Sequence, residues 1–559
     1  MNGLVILLIS AVILFLAYVI YGRYLAKKWG IDPNRKTPAY ELEDGVDYVP
    51  AEPSVLFGHQ FASIAGAGPI NGPIQAAMFG WLPVLLWILI GGIFFGAVHD
   101  FVALYASVKN KGKTIGFIIE KYIGRTGKRL FLLFVWLFSI LVIAAFADIV
   151  SETFGGFGKT ADGEIVKISA NASVAMTSSL FVLAAIGLGF FIRKIKPNAV
   201  ISGIAACVLL VCCIILGLRF PVYADINIWH YIVFIYIFFA SVVPVWALLQ
   251  PRDYLNSFLL VAMIIAAFTG VIFAAPSINI PAFAGFKVGN NYMFPILFVT
   301  VACGAVSGFH SLVASGTASK QISNERHILP IGFGAMLVES LLAVIALITV
   351  GAITVGGLLP DGIKTPPQIF AHAVAGFLTK LGLPENAVFT LITLSISAFA
   401  LTSLDSVARV GRFAFQELFT DAQNEGKKIP PAIKFLCNKY TATACTLLVA
   451  YFLAILGYAA IWPLFGSANQ LLAALALISC SVFLKKTNRQ GFMLYAPMFI
   501  MLAVTFTALA FTIYDKGIKL FDSTFNLEQD FLQFVFAVLL LGLGIVVAVQ
   551  GVGKLREKE

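Results

Sequence analysis

The 559-residue chain is 60% hydrophobic and only 12% charged, with a mean hydropathy of +0.93. No soluble domain needs that composition, and apolar runs of about 20 residues recur from end to end, so the chain reads as a polytopic helical membrane protein. The formal net charge of +10 is not a nucleic-acid signal, because its basic residues sit in short loops between apolar runs.

The first 22 residues lack a basic leader and a small-residue cleavage site, so they are expected to form a first transmembrane helix rather than a removable signal. Residues 57–83, FGHQFASIAGAGPINGPIQAAMFGWLP, are apolar enough to enter a bilayer but cannot form one unbroken helix. Gly66, Gly68 and Gly72 loosen the backbone. Pro69 and Pro73 each remove a donor and clash with the preceding turn, at about 3 kcal/mol in a helix interior. Freed backbone groups at membrane depth need protein or a water-filled cavity around them, which makes a broken span a candidate transporter site. A hairpin that merely packs is the alternative.

About fifteen spans follow from the 20-residue criterion. They fall near 3–22, 57–80 (broken), 83–108, 129–150, 173–192, 198–218, 228–250, 254–274, 293–318, 330–358, 385–408, 441–459, 461–484, 493–514 and 528–552. Alternating the loops puts about 30 of the 38 Lys and Arg on one face, which the positive-inside rule makes cytoplasmic. The N-terminus is then expected outside and the C-terminus inside. Residues 113–123 and 366–380 read as short amphipathic helices, and 155–172 as a plain external loop. No polar stretch is long enough for a separate soluble domain. The seven cysteines lie mostly within apolar spans without a CxxC pair, and read as small buried residues.

Four acids, Asp100, Asp148, Glu339 and Asp405, fall inside spans, and His59, His99 and His310 join them at membrane depth. Intramembrane carboxylates face a cavity or a partner, so they relay protons or pair structurally. Asp405 has Arg409 one turn on as a candidate partner. His99 and Asp100 are chain neighbours that face different directions on a helix, so no direct dyad is expected between them. The span 293–318 clusters Ser307, His310, Ser311, Ser315 and Thr317 with three glycines. Hydroxyls and exposed carbonyls suit a hard cation such as Na⁺, while small residues equally suit close helix packing. No HExxH or GxSxG is present, against a metallohydrolase or serine hydrolase.

The span 228–250 is interrupted by Pro244 and ends at Pro251. It runs opposite to 57–80, so two groups of five spans of opposite orientation follow, the signature of an inverted repeat. The expected organisation is an extra span with its loop over 1–56, a first repeat over 57–220, a second over 221–420, and accessory helices over 421–559.

FGHQFASIAGAGPINGPIQAA, GAVHDFVALYASVKNKGKTIG, SVVPVWALLQPRDYLNSF, SGFHSLVASGTASKQI, TSLDSVARVGRFAFQEL and WPLFGSANQLLAALAL, in this order, resemble the carbon starvation protein A family. Gln60 departs from the second His expected after His59, which puts a paired-His role there in doubt. The resemblance implies a bacterial cytoplasmic-membrane transporter of the amino acid–polyamine–organocation superfamily. It implies a fold like that of the leucine transporter, with five plus five helices. Peptide uptake during carbon limitation, or proton-coupled pyruvate uptake, is the implied function.

The resulting expectation is a secondary active transporter of carboxylate-bearing nutrients, with no cofactor beyond a coupling H⁺ or Na⁺ and no nucleic-acid partner. Substrate is expected between the two broken helices, at Gly66, Ala67, Gly68, Pro69 and Asn71 and at Ser241, Pro244 and Trp246, where half-helix N-termini favour a carboxylate. His59, Asp100, Asp148, Ser307, His310, Ser315 and Thr317 are the candidates for ion coupling. Asn469 and Gln470 are expected as interhelical hydrogen-bond partners. A membrane enzyme acting on lipid-linked substrate, a channel or a sensor are the alternatives.

Overall fold

In the computed structural model, all residues are described except 46–47, 160–163, 196, 198, 244–247, 355–358, 360–362, 364, 420–430, 490–491, 520–528 and 558–559. The chain is a helical, multi-pass membrane protein. Among the described residues, eleven helices are long and apolar enough to cross a membrane. Two shorter apolar helices and two interrupted ones accompany them, which is compatible with the expected count of about fifteen.

In chain order the first half holds α1 (Gly3–Lys28), α2 (Pro53–Ile64), α3 (Gly68–Ala76) and α4 (Trp81–Lys109). The amphipathic helix α5 (Ile115–Tyr122) follows, opened by Thr114, whose hydroxyl accepts from Phe117 N. Then come α6 (Arg125–Phe154), α7 (Ser169–Ile195), α8 (Ala199–Arg219), α9 (Ile226–Val242) and α10 (Leu249–Ala274). The second half holds α11 (Met293–Thr300), α12 (Phe309–Gly316), α13 (Glu325–Ile353), α14 (Pro366–Thr379) and α15 (Glu385–Phe419). It closes with α16 (Lys439–Ala454), α17 (Tyr458–Lys486), α18 (Phe492–Lys519) and α19 (Gln529–Arg556).

Three expectations are corrected. The loop 155–172 carries a small antiparallel hairpin, Phe157–Lys159 paired with Ile165–Lys167, because its alternating residues satisfy one another's backbone groups. The helix α14 is not a surface helix: most of its residues are buried, and it packs on α10 and α15. The span 293–318 is not continuous. It stops at Thr300 and resumes at Phe309.

The chain divides into two compact units. One comprises residues 1–4, 139–279 and 348–458. Here α7 packs on α8 so closely that a Cβ on Gly217 would meet the Thr177 hydroxyl at 1.9 Å, and α15 packs against α7, α9, α10, α14 and α16. The other comprises residues 5–138, 280–347 and 459–559. It contains both interrupted spans, α2–α3 and α11–α12, together with α17, whose apolar and small residues are buried along nearly its whole length.

Candidate functional site

The first break lies where local sterics put it. α2 ends at Ile64, Ala65–Ala67 links, and α3 starts at Gly68 with Pro69 in its first turn. Proline is tolerated there because its missing N–H would be unpaired anyway. The break therefore sits just before the two prolines, at its N-terminal end of the stretch read from sequence. Gly66, Ala67, Gly68, Pro69 and Asn71 all lie in this link or in the first turn after it, and all are buried.

The second break, residues 301–308, packs against the first. A Cβ on Gly68 would lie 2.4 Å from Cys303 Sγ, and one on Gly72 would lie 2.6 Å from the Thr300 carbonyl. Side chains at either position would push the two breaks apart. Asn469 on α17 holds the second break in place: its Oδ1 accepts from Ser307 Oγ (3.2 Å) and from Phe309 N (3.1 Å), an orphan donor at the start of α12. Gln470 Nε2 donates to the Phe298 carbonyl at 2.6 Å. Both residues are interhelical partners, as expected.

Four ionisable side chains form a buried chain beside these breaks. Asp100 Oδ1 lies 2.8 Å from His99 Nδ1, and Asp100 Oδ2 lies 2.7 Å from His310 Nδ1. His310 Nε2 lies 3.4 Å from Glu339 Oε2, inside ion-pair reach but outside hydrogen-bond alignment. All four are fully buried. The His99–Asp100 contact corrects the expectation of no dyad: Nδ1 lies on the near side of the ring, so neighbouring side chains can lean together where long ones would splay. An ionised Asp100 accepts from both rings, which fixes the proton on Nδ1 of each. The His310–Glu339 contact is then attractive in two ways. Either His310 is imidazolium facing a carboxylate, or Glu339 is protonated and points its hydroxyl at a neutral Nε2. The chain can thus hold one proton in two places.

Helix packing brings this cluster together: α12, which carries His310, packs on α4 and on α2. Gly332 of α13 lies against Asp100, where an added Cβ would come within 2.9 Å of Phe101 Cα.

Carboxamides stand on both sides of the first break. Gln60 on α2 and Asn71 on α3 are fully buried, and neither the oxygen nor the nitrogen of either amide has a hydrogen-bond partner among the described residues. Gln75, one turn beyond Asn71, is half-buried, and its Nε2 is buried without a hydrogen-bond partner among the described residues. A buried unpaired polar group costs about 1–3 kcal/mol, so several at one break are unusual outside functional sites.

The remaining candidates are placed differently. Ser315 Oγ donates to the Ser311 carbonyl (2.6 Å) and accepts from Ile115 N (3.2 Å). Thr317 is exposed, and its hydroxyl donates to the Val313 carbonyl at 2.9 Å. Such back-bonding is ordinary helix behaviour, and these hydroxyls do not gather with Ser307. His59 is half-buried, and its carbonyl accepts from Ser63 Oγ.

Asp148 belongs to the other unit, where Oδ1 meets His230 Nε2 at 2.8 Å and Oδ2 accepts from Tyr458 N at 2.5 Å. Ser241 is there too, buried at the end of α9, with its carbonyl accepting from Arg412 Nη1 at 2.5 Å. Arg409 Nη2 donates to the Ala240 and Val243 carbonyls, so the two arginines close the orphan C-terminus of α9. Pro244 and Trp246 lie outside the described residues. Asp405 pairs with Arg252 and accepts from Tyr236 Oη at 2.8 Å, which corrects the expected Arg409 partner; Arg409 is committed to the helix end instead.

Residues 2–359 and 362–508 match the profile described as Carbon starvation protein CstA. The chain belongs to the carbon starvation protein CstA family. The peptide transporter CstA of Escherichia coli is 33% identical, over 91% of this chain and 80% of its own. The peptide transporter CstA of Bacillus subtilis is 31% identical, over 99% of this chain and 97% of its own. The pyruvate/proton symporter BtsT of Escherichia coli is 30% identical, over 95% of this chain and 83% of its own. Both broken spans and the Asp100 cluster fall within the part that matches the CstA family.

His99, Asp100, His310 and Glu339 each stand out in the sequence singly, and nothing local joins Glu339 and His99 to the coupling set. The available signal was their shared rarity in apolar spans. Gln75 was missed because an amide in an apolar run looks like any interhelical hydrogen-bonding residue.

Proposed function

We propose that the chain is a secondary active transporter of the bacterial cytoplasmic membrane that imports small carboxylate-bearing nutrients, peptides or pyruvate, by alternating access and driven by protons. The observation that carries this reading is the buried Asp100–His310–Glu339 chain, packed beside two interrupted helices in one unit. A carboxylate is favoured at the start of α3, where the first break leaves a helix N-terminus, whereas at the start of α12 the Phe309 N–H is already taken by Asn469. The adjoining chain takes up or gives away a proton between His310 and Glu339.

In this reading Gly66, Ala67, Gly68, Pro69 and Asn71 face the substrate. His310 and Glu339 carry the coupling proton while an ionised Asp100 orients His310, Asp148 with His230 forms a second proton-handling pair, and His59 contributes a polar contact. The N-terminus lies outside and the C-terminus in the cytoplasm. The names of the relatives, all transporters, favour this reading over a membrane enzyme.

Uptake of labelled pyruvate, dialanine and trialanine into proteoliposomes, under separately imposed proton and sodium gradients, tests it. Accumulation above the equilibrium level under the proton gradient alone is the expected result. Accumulation under sodium alone would transfer the coupling to that ion, and passive equilibration in every arm would leave a channel.

A further inference from the structure

The unpartnered amides at the first break have a chemistry that the carboxylate site alone does not explain. Helix N-termini offer only donors, which suffices for pyruvate, since a keto acid at neutral pH presents only acceptors. Gln60 and Asn71 each present a donor and an acceptor, and both acceptors, Oε1 and Oδ1, are buried without a donor to meet them among the described residues. An acceptor of this kind is satisfied by a ligand that brings an N–H.

The placement supports a shared role. Gln60 lies one turn before the end of α2, on the buried stripe it shares with Leu56 and Ile64. Asn71 and Gln75 stack one turn apart on α3. The adjacent stripe of α3 is already taken, because Gly68 and Gly72 are pressed against Cys303 and Thr300 and Pro73 approaches Gly304. The amide stripe is thus the polar edge that α3 has left.

We infer that Gln60 and Asn71, assisted by Gln75, are specificity-determining residues that select a substrate carrying N–H donors as well as a carboxylate, a short peptide rather than a keto acid. This rests on the transport reading only in taking the first break as the place where cargo binds. Peptide amides pair with carboxamides donor to acceptor and acceptor to donor, and an analogue lacking the N–H leaves the buried oxygens unpaired.

The test uses the purified full-length protein and direct binding, read by ligand-induced thermal shift and by equilibrium binding of labelled ligand. The probes are dialanine, its ester analogue with the amide N–H replaced by oxygen, and pyruvate. Dialanine should bind at least about tenfold more tightly than either of the others. Gln60→Leu and Asn71→Leu should each shrink that preference to less than about threefold. Gln60→Glu serves as a polar variant of similar size that tolerates the fold if the leucine variants do not.

Equal binding of all three probes by the unmodified protein would overturn the inference, as would leucine variants that fold and keep the full preference, or an absence of binding by dialanine. The transport reading fails separately: dialanine bound with the expected preference but never accumulated under any gradient would sink that reading and leave the amide assignment standing.

Discussion

Asp100 accepts from two imidazoles at once, and that demand defines what can replace it. An asparagine has one acceptor oxygen and would turn its NH₂ toward one ring. Asp100→Asn is expected to lower gradient-driven uptake at least about tenfold while the purified protein keeps its chromatographic behaviour. Glu339→Gln keeps the size but cannot carry a proton. Substrate counterflow should persist in this variant while accumulation under a proton gradient is lost; accumulation at the unmodified level would remove Glu339 from coupling. Packing gives a matched pair of glycine tests. A Cβ on Gly96 would fall 2.2 Å from the Ala305 carbonyl, whereas one on Gly58 meets nothing within 4 Å. Gly96→Ala should cost about 1–3 kcal/mol through overpacking, and Gly58→Ala should be neutral or stabilise α2 by about 0.5–1 kcal/mol. Melting temperatures of the two detergent-solubilised proteins check both.

The two interrupted spans differ in how they are broken, and so in how they can be disturbed. The first is broken just ahead of Pro69, which cannot donate to the Ala65 carbonyl, while Pro73 sits inside α3 without ending it, so the position was legible to within a few residues of the glycine–proline stretch. The second has no proline between Thr300 and Phe309. It is held open by α17, where Asn469 pairs with Ser307 and with the N–H of Phe309, and by the packing of Gly466 against the Val299 carbonyl. Asn469→Leu strands that N–H in a buried place. It should destabilise the protein by about 1–3 kcal/mol and reduce uptake, whereas Asn469→Asp, which keeps the accepting oxygen, should retain more of both. A leucine variant with unaltered melting and uptake would mean that the second break stands without α17. Local sequence could not show this dependence, because glycine- and serine-rich helices in membranes are as often tightly packed as broken.

At the scale of the whole molecule, the charge asymmetry makes a statement about orientation. Lys111, in the loop between α4 and α5, is exposed and should face the cytoplasm, and Lys287, exposed between α10 and α11, should face outward. Lys111→Cys should react with a membrane-impermeant thiol reagent only in inside-out vesicles, and Lys287→Cys only in intact cells, each above the level of the unmodified protein with its own cysteines. The reverse pattern would invert the proposed topology. Within one unit, buried Glu325 accepts from Lys109 Nζ at 2.6 Å and from the Asp32 backbone N–H at 2.9 Å, a contact between segments nearly three hundred residues apart that no periodicity announces.

By itself the sequence determined the class, the approximate span count and the first interruption. These depend on quantities that act over a few residues: the apolar length needed to cross a bilayer, the positive charge left in loops, and the steric intolerance of proline within a helix. Only the tertiary structure decided which polar residues meet. His99 joined Asp100 although they are chain neighbours, Asp405 took Arg252 from 153 residues away in preference to an arginine one turn on, and Glu339 was brought to His310. Asp148 was paired with His230 in the other unit. Pairing is settled by which helix faces pack together, and helix faces in an all-apolar chain carry too little contrast for the sequence to choose among them.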